Sequence, residues 1–322
     1  MTNNVAAPES LAEAIEYFAD PDRALAVMVE MRWPNGVTCP HCDAEAPSFL
    51  KTRRIWSCRV CRKQFSAKVG TVFEDSPLGL DKWLPALWLL ANCRNGISSY
   101  ELGRHLGVTQ KTGWFMLGRI RLAMQTRTFK RLKGEVEIDE TFIGGLANNM
   151  HKAKRARVIK GTGYKGKVPV LGMLERANSK RGKSRVQATV MTSLLTEALD
   201  EQITPALQPG SNVYTDQLRA YRQILPDNYH HETVDHSKEY VRGRVHTNGL
   251  ENFWSVLKRA IHGTYISVDP MHLFRYVDEQ AFRHNVRGES ESSRFVTVLG
   301  RIIGKRLTYA ELTSAGMNPA TT

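Results

Sequence analysis

No stretch of the 322-residue chain is apolar over the eighteen or more positions that a membrane-spanning helix requires, and no basic amphipathic anchor is present. Met1 to Ser10 also lacks the charged start and apolar core of a secretory leader. Both absences predict a cytoplasmic protein in a reducing compartment. Cysteine is scarce, at five residues, and in such a compartment those five are read as metal ligands before disulfides. Acid is in deficit: 32 Asp+Glu stand against 45 Lys+Arg, a formal net charge of +13. That excess favours a polyanionic partner, most simply nucleic acid, because each basic contact to a phosphate releases counterions.

What is there comes in blocks. Ser10-Leu11-Ala12-Glu13 has the form of a capping box opening a helix to about Phe18, and Asp20-Pro21 restarts a second. Cys39-Pro40-His41-Cys42 and Cys58-Arg59-Val60-Cys61 are two C-x2-C pairs with fifteen residues (43 to 57) between them. At that spacing Cys39, Cys42, Cys58 and Cys61 close a tetrahedron around one structural Zn2+ and leave no position open for water. His41 could replace a cysteine, but four thiolates are the simpler set. Basic residues from Lys51 to Lys63 interleave with Trp56 and are flanked by Phe49 and Phe65, a pattern that suits a DNA-contacting ribbon or a solvated basic face. Cys93 falls in an apolar helical run and reads as a core thiol.

A helix capped by Asp81 carries Trp83, Leu84, Leu87 and Trp88 on its apolar face. From Ile97 to Thr112 the pattern is a short helix, a Gly-centred turn and a second helix from Thr109, which predicts a helix-turn-helix. Gln110, Lys111 and Thr112 open the second helix, where a recognition helix meets base edges or phosphates, and Arg119 lies further along it. A helical hairpin that merely packs is the alternative.

From Gly134 strands alternate with helices. Val136-Glu137-Ile138-Asp139 alternates apolar and acidic residues and runs on to Ile143 before a Gly-Gly turn. The basic stretch His151 to Lys167 reads as a loop able to order on phosphate. Strands follow at 168–175 and 185–191, then a helix near Leu194 to Gln202, then a strand from Ser211 ending at Asp216. Three strands, a helix and a strand is the order of a ribonuclease-H-like sheet. Downstream, Leu250, Phe253, Trp254, Leu257 and Ile261 make a core stripe at helical spacing, with Glu251, Ser255 and Lys258 on a neighbouring stripe. One helix thus carries an acid for a metal and, two turns on, a cation for a phosphate. Converging carboxylates of this kind hold two Mg2+ or Mn2+ ions for phosphodiester chemistry.

These stretches resemble a known family. VEIDETFIGG, VYTDQLRAY and RVHTNGLENFWSVLKRAIHGTY are similar to the DDE transposases of bacterial insertion sequences, in the zinc-ribbon group related to Merlin elements. The resemblance spans nearly the whole chain and implies an acidic triad of Asp139, Asp216 and Glu251, accompanied by Lys258. The 34 residues from 217 to 250 match the family's spacing between the second and third acids. Asn248 offers an alternative third position, since related elements carry Asn there. The fold expected is an α/β protein. A ribonuclease-H-like catalytic domain (133–305) follows an N-terminal helical segment with a zinc ribbon (1–75) and a helix-turn-helix module (76–132), and a tail (306–322) ends the chain. The resemblance further implies double-stranded DNA as partner, both element ends and target, a dimer or larger synaptic assembly, and a nucleoid-associated location. A nuclease that never joins, or a DNA-binding regulator indifferent to the acids, are the rival readings.

Overall fold

The structure is a computed structural model, and it describes residues 8–125, 130–144, 151–153, 156, 166–178, 182–216, 218–225, 228–234 and 243–314. Most of the basic stretch His151 to Lys167, and the tail beyond 314, lie outside the described residues. The chain divides into two compact units: Met1–Gln125 with Glu289–Met317, and Thr126–Gly288 with Asn318–Thr322.

The first unit begins with α1 (Leu11–Ala19) and α2 (Pro21–Arg32). Ser10 caps α1 by accepting from the Glu13 backbone N–H, whereas the Glu13 carboxylate turns back to the Glu9 N–H, so the expected box closes one residue early. Three very short antiparallel strands follow: β1 (Ser48–Leu50), β2 (Ile55–Ser57) and β3 (Gln64–Phe65). A cluster of rings packs against them, with Trp56 stacked on Phe65 and Trp33 set edge-on to both. Next come α3 (Leu80–Asn92), α4 (Ser99–Leu106) and α5 (Gln110–Met124). Gly79 rather than Asp81 is the cap residue of α3, which places Asp81 in the first turn. α4 and α5 meet closely because two glycines lack side chains: a Cβ at Gly113 would lie 2.8 Å from the Ser99 carbonyl, and one at Gly103 2.9 Å from that of Val108.

The unit is completed from the far end of the sequence. α10 (Glu291–Gly300) sets Phe295 against Phe18, with ring centroids 5.5 Å apart, and packs on α3. α11 (Tyr309–Thr313) lays Leu312 against Gly118 of α5. The expected boundary at 305 therefore differs from the division in the structure: the apolar face of α10, with Phe295, Val298 and Leu299, is buried within the N-terminal unit.

The second unit is a five-stranded mixed sheet in the order β6-β5-β4-β7-β8. β4 (Glu135–Ile143), β5 (Val168–Glu175) and β6 (Arg185–Val190) pair antiparallel, while β7 (Asn212–Thr215) and β8 (His230–Thr233) run parallel to β4. One face, with Val136, Ile138 and Val213, packs on α6 (Thr196–Ala206) and α7 (Arg219–Ile224). The other, with Ile143, Val170, Leu174 and Val186, packs on α8 (Asn248–Arg259) and α9 (Leu273–Val286). All five residues of the expected α8 stripe, from Leu250 to Ile261, are in that core. Among the described residues no helix is long and apolar enough to cross a membrane.

Candidate metal centres

In the first unit the turns before β1 and after β2 bring Cys39, Cys42, Cys58 and Cys61 together, all four sulfurs within 4.8 Å of one another. Cys39 and Cys61 lie 3.7 Å apart and Cys42 and Cys58 3.6 Å. Ligands about 2.3 Å from a tetrahedral zinc stand about 3.8 Å from each other, so the four thiols are grouped closely enough to hold that ion. His41 is not in the cluster; its ring packs edge-on to Phe65. Cys93 stands apart from the four, at the end of α3.

In the second unit β4 and β7 carry the acids. Their parallel register pairs Glu135 with Asn212, Val136 with Val213 and Glu137 with Tyr214. Continued two residues, it sets Asp216 abreast of Asp139. β7 has ended by then, which leaves the sheet open at that point. Asp139, Glu140 and Asp216 each bring a carboxylate oxygen within 4.8 Å of the others. Asp139 is held from the α8 side, where the Trp254 indole N–H donates to its Oδ2 at 2.9 Å. Glu140 is held from the opposite face by the Tyr221 hydroxyl at 2.6 Å. Asp216 accepts from the Leu218 backbone N–H at 3.0 Å, which fixes the turn after β7.

Burial pushes the Asp139 carboxyl up to about 6 against the Trp254 hydrogen bond, and the Asp216 charge adds to the rise. Glu140 rises to about 7 by burial against its Tyr221 bond, with Asp216 and Asp139 adding. Acids raised in this way are short of positive charge. A hard divalent cation supplies it, and oxygen donors suit Mg2+ or Mn2+.

Glu140 is the acid that sequence reasoning missed. Alternation sends it to the face opposite Asp139, and only the end of β7 lets the two carboxylates meet Asp216. Glu251, exposed in the first turn of α8, stands outside the tight cluster, although its charge still acts on Asp139. Lys258 is exposed two turns beyond it, and Asn248 is exposed at the start of the helix.

The expected DNA-facing residues separate. Lys111 is exposed, its ammonium 5.0 Å from the centre of the Tyr309 ring. Gln110 is half-buried and donates to Ser99, and Thr112 is bound to Thr109, the cap of α5. Arg119 is a correction. Only 4% of it is exposed, and it donates to the carbonyls of Leu307 and Glu74. The segment returning from the C-terminal end covers it, so the structure places Arg119 in the interior rather than on an exposed face.

These observations define a class: a four-thiolate ribbon in one unit, and in the other a mixed α/β sheet with a metal-competent acidic edge. The sequence comparisons narrow it. Residues 131–285 match the ISXO2-like transposase domain, and residues 20–64 the transposase zinc-ribbon domain. An uncharacterized protein in transposable element ISH50 of Halobacterium salinarum is 30% identical over 256 residues, which cover 76% of this chain and 84% of that protein. The chain belongs to the ISXO2-like, zinc-ribbon family of DDE transposases of insertion sequences.

Proposed function

We propose that this protein binds the terminal inverted repeats of an insertion sequence, cleaves the element ends and joins their 3′-hydroxyls to target DNA. The meeting of Asp139 and Asp216 at the open end of β7, in a chain of a transposase family, carries the reading. The sheet order, three antiparallel strands and then two parallel ones, supports a ribonuclease-H-like catalytic fold within Thr126–Gly288. The ribbon and the α4–α5 pair, read as a helix-turn-helix, are the DNA-binding part, with Lys111 on its surface.

Asp139, Asp216 and Glu251 would hold two Mg2+ or Mn2+ ions, with Glu140 as a fourth carboxylate in reach. When bound, such ions neutralise charge on the attacking and leaving oxygens of an in-line phosphoryl displacement. Water attacks the phosphodiester at the element's end and leaves a 3′-hydroxyl. That hydroxyl then attacks a target phosphodiester, exchanging one ester for another with no covalent protein intermediate. Lys258 contacts a phosphate of the bound strand. Both ends must be handled together, so the working form is a dimer or larger assembly on double-stranded DNA.

The test combines protein, Mg2+, a linear fragment carrying the gene's flanking DNA and a supercoiled target plasmid, with products mapped to the nucleotide. Joining at fixed flanking ends, lost in Asp139→Ala, is the expected result. Cleavage without joining would replace the proposal with a nuclease. Binding with neither reaction would leave a DNA-binding regulator.

A further inference from the structure

Glu137 lies two residues before Asp139 on the same face of β4, and 1% of it is exposed. A polar side chain withdrawn that far from water has to be hydrogen-bonded. Its partners are on the page. Arg176 Nε donates to Oε1 at 2.7 Å, the Leu250 backbone N–H donates to Oε2 at 3.0 Å, and His246 Nδ1 stands 3.6 Å from Oε1. Arg176, just past the end of β5, reaches further. Its two terminal nitrogens donate to the carbonyls of Arg244 and His246, each at 2.7 Å, and one lies 2.8 Å from His246 Nδ1. Its guanidinium also covers the Tyr214 ring of β7, 4.6 Å from the centroid. One side chain thus ties two strands of the sheet to the segment that enters α8.

The first turn of α8 needs such a tie. A helix start leaves backbone N–H groups that must find acceptors. Glu137 accepts one of them from a neighbouring strand. Gly249 permits the approach, since a Cβ there would stand 2.8 Å from Glu137 Oε2. One turn later Trp254 donates to Asp139. Helix α8 is therefore pinned to β4 at two acids of one face, and Glu251 lies between the pins.

We propose that Glu137 and Arg176 are positioning residues that hold the first turn of α8 in register with β4 and so set where Glu251 meets the metal. This rests on the reading of Asp139, Asp216 and Glu251 as metal ligands. Mg2+ demands near-ideal octahedral geometry at about 2.0–2.1 Å, so a small slide of α8 is felt first by that ion. Mn2+ tolerates the distortion better.

The experiment uses the full chain with Glu137→Ala, Glu137→Gln, Arg176→Ala and Arg176→Lys, each assayed below its own melting temperature. Manganese affinity is measured by calorimetry, and joining is measured with Mg2+ and with Mn2+. The alanine variants are expected to bind Mn2+ roughly tenfold more weakly, the cost typical of losing a group that orients a ligand. They are also expected to lose kcat in Mg2+ by roughly a hundredfold, consistent with an ångström of misplacement. KM for DNA stays within about twofold of wild type, because DNA contacts are untouched, and Mn2+ restores part of the rate. Glu137→Gln retains an acceptor for the Leu250 N–H and falls between. If the alanine variants do not fold, Glu137→Gln and Arg176→Lys carry the same comparison.

Folded variants with wild-type Mn2+ affinity and an unchanged Mg2+ requirement would overturn the inference and leave the catalytic reading standing. Failure of the catalytic reading looks different: wild type itself would show no Mn2+ binding that Asp139→Ala removes.

Discussion

At the scale of single residues, the acidic edge is shaped by what is absent beside it. Gly172 pairs with Asp139 across β5, and a Cβ there would stand 2.4 Å from the Trp254 ring. Gly172→Ala is therefore expected to destabilise the unit by about 2 kcal/mol through overpacking, visible as a lowered melting temperature and a shifted tryptophan emission. Trp254→Phe keeps the packing but removes a donor to a charged group, worth about 1.5–3 kcal/mol. Because that hydrogen bond lowers the Asp139 pKa, its loss drives the carboxyl further up, and more Mg2+ is needed for half-saturation at pH 7. Proton linkage gives a third expectation. Asp139 rises from 3.8 to about 6 and Glu140 from 4.5 to about 7, so the folded protein holds both protons more tightly than the unfolded chain. Their stabilising contribution is complete below about pH 4 and is lost as pH rises through about 6 to 7. Metal-free protein should accordingly lose melting temperature from pH 5 to pH 8, and Mg2+ should restore more at pH 8 than at pH 5. Asp139→Asn with Glu140→Gln should flatten both trends; a dependence unchanged in that variant would assign the effect to other groups.

At the scale of elements, helix α5 shows how an exposed and a buried cation on one helix part company. Lys111→Ala is expected to weaken DNA binding across sequences and to reduce the slope of log affinity against log salt by about one. Arg119→Ala should leave that slope alone and cost about 3 kcal/mol of stability, since two backbone carbonyls lose their donor. Nothing local in the sequence distinguishes these two residues, because what buries Arg119 returns from nearly two hundred residues away. The readable parts were those with local grammar. Cysteine spacing located the ribbon thiols, alternation located β4 and β7, and the 3.6-residue period located the buried stripe of α8. Asp216 does follow the end of β7, whereas Asp139 sits at the middle of β4, which runs on to Ile143. Glu137 reads in sequence as one more polar position of an alternating strand, and its burial follows only from where α8 crosses β4. Glu140 was hidden by the alternation rule itself. The ribbon adds an element-scale prediction. Its strands are two or three residues long, so a strong chelator should unfold it and change Trp33 and Trp56 fluorescence, with the sheet unit unaffected.

At the scale of the whole molecule, the first unit is discontinuous in sequence, and that has a cost for any truncation. Residues 1–132 look self-contained, with a ribbon and five helices. Yet their unit is completed by Phe295, Val298, Leu299, Ile302, Leu307 and Leu312, all 3% exposed or less. Backbone bonds from Val72 to Ile302 and from Gly304 to Gly70 stitch the returning segment to the chain that follows the ribbon. Lys305 ties it to the end of α5 through the Leu122 carbonyl. Burying side chains of that size is worth about 1.5–3 kcal/mol each, so the segment contributes on the order of 10 kcal/mol. A domain's whole stability is about 5–15 kcal/mol. Removal of residues 289–322 is thus expected to abolish cooperative unfolding of the N-terminal unit and its DNA binding, read by calorimetry and gel shift. The sheet unit, whose core draws on none of those side chains, should keep its own transition and its Mn2+ affinity. An N-terminal transition that survived the deletion would mean that the ribbon and α1–α5 suffice as a domain, and that the returning segment only lies against them.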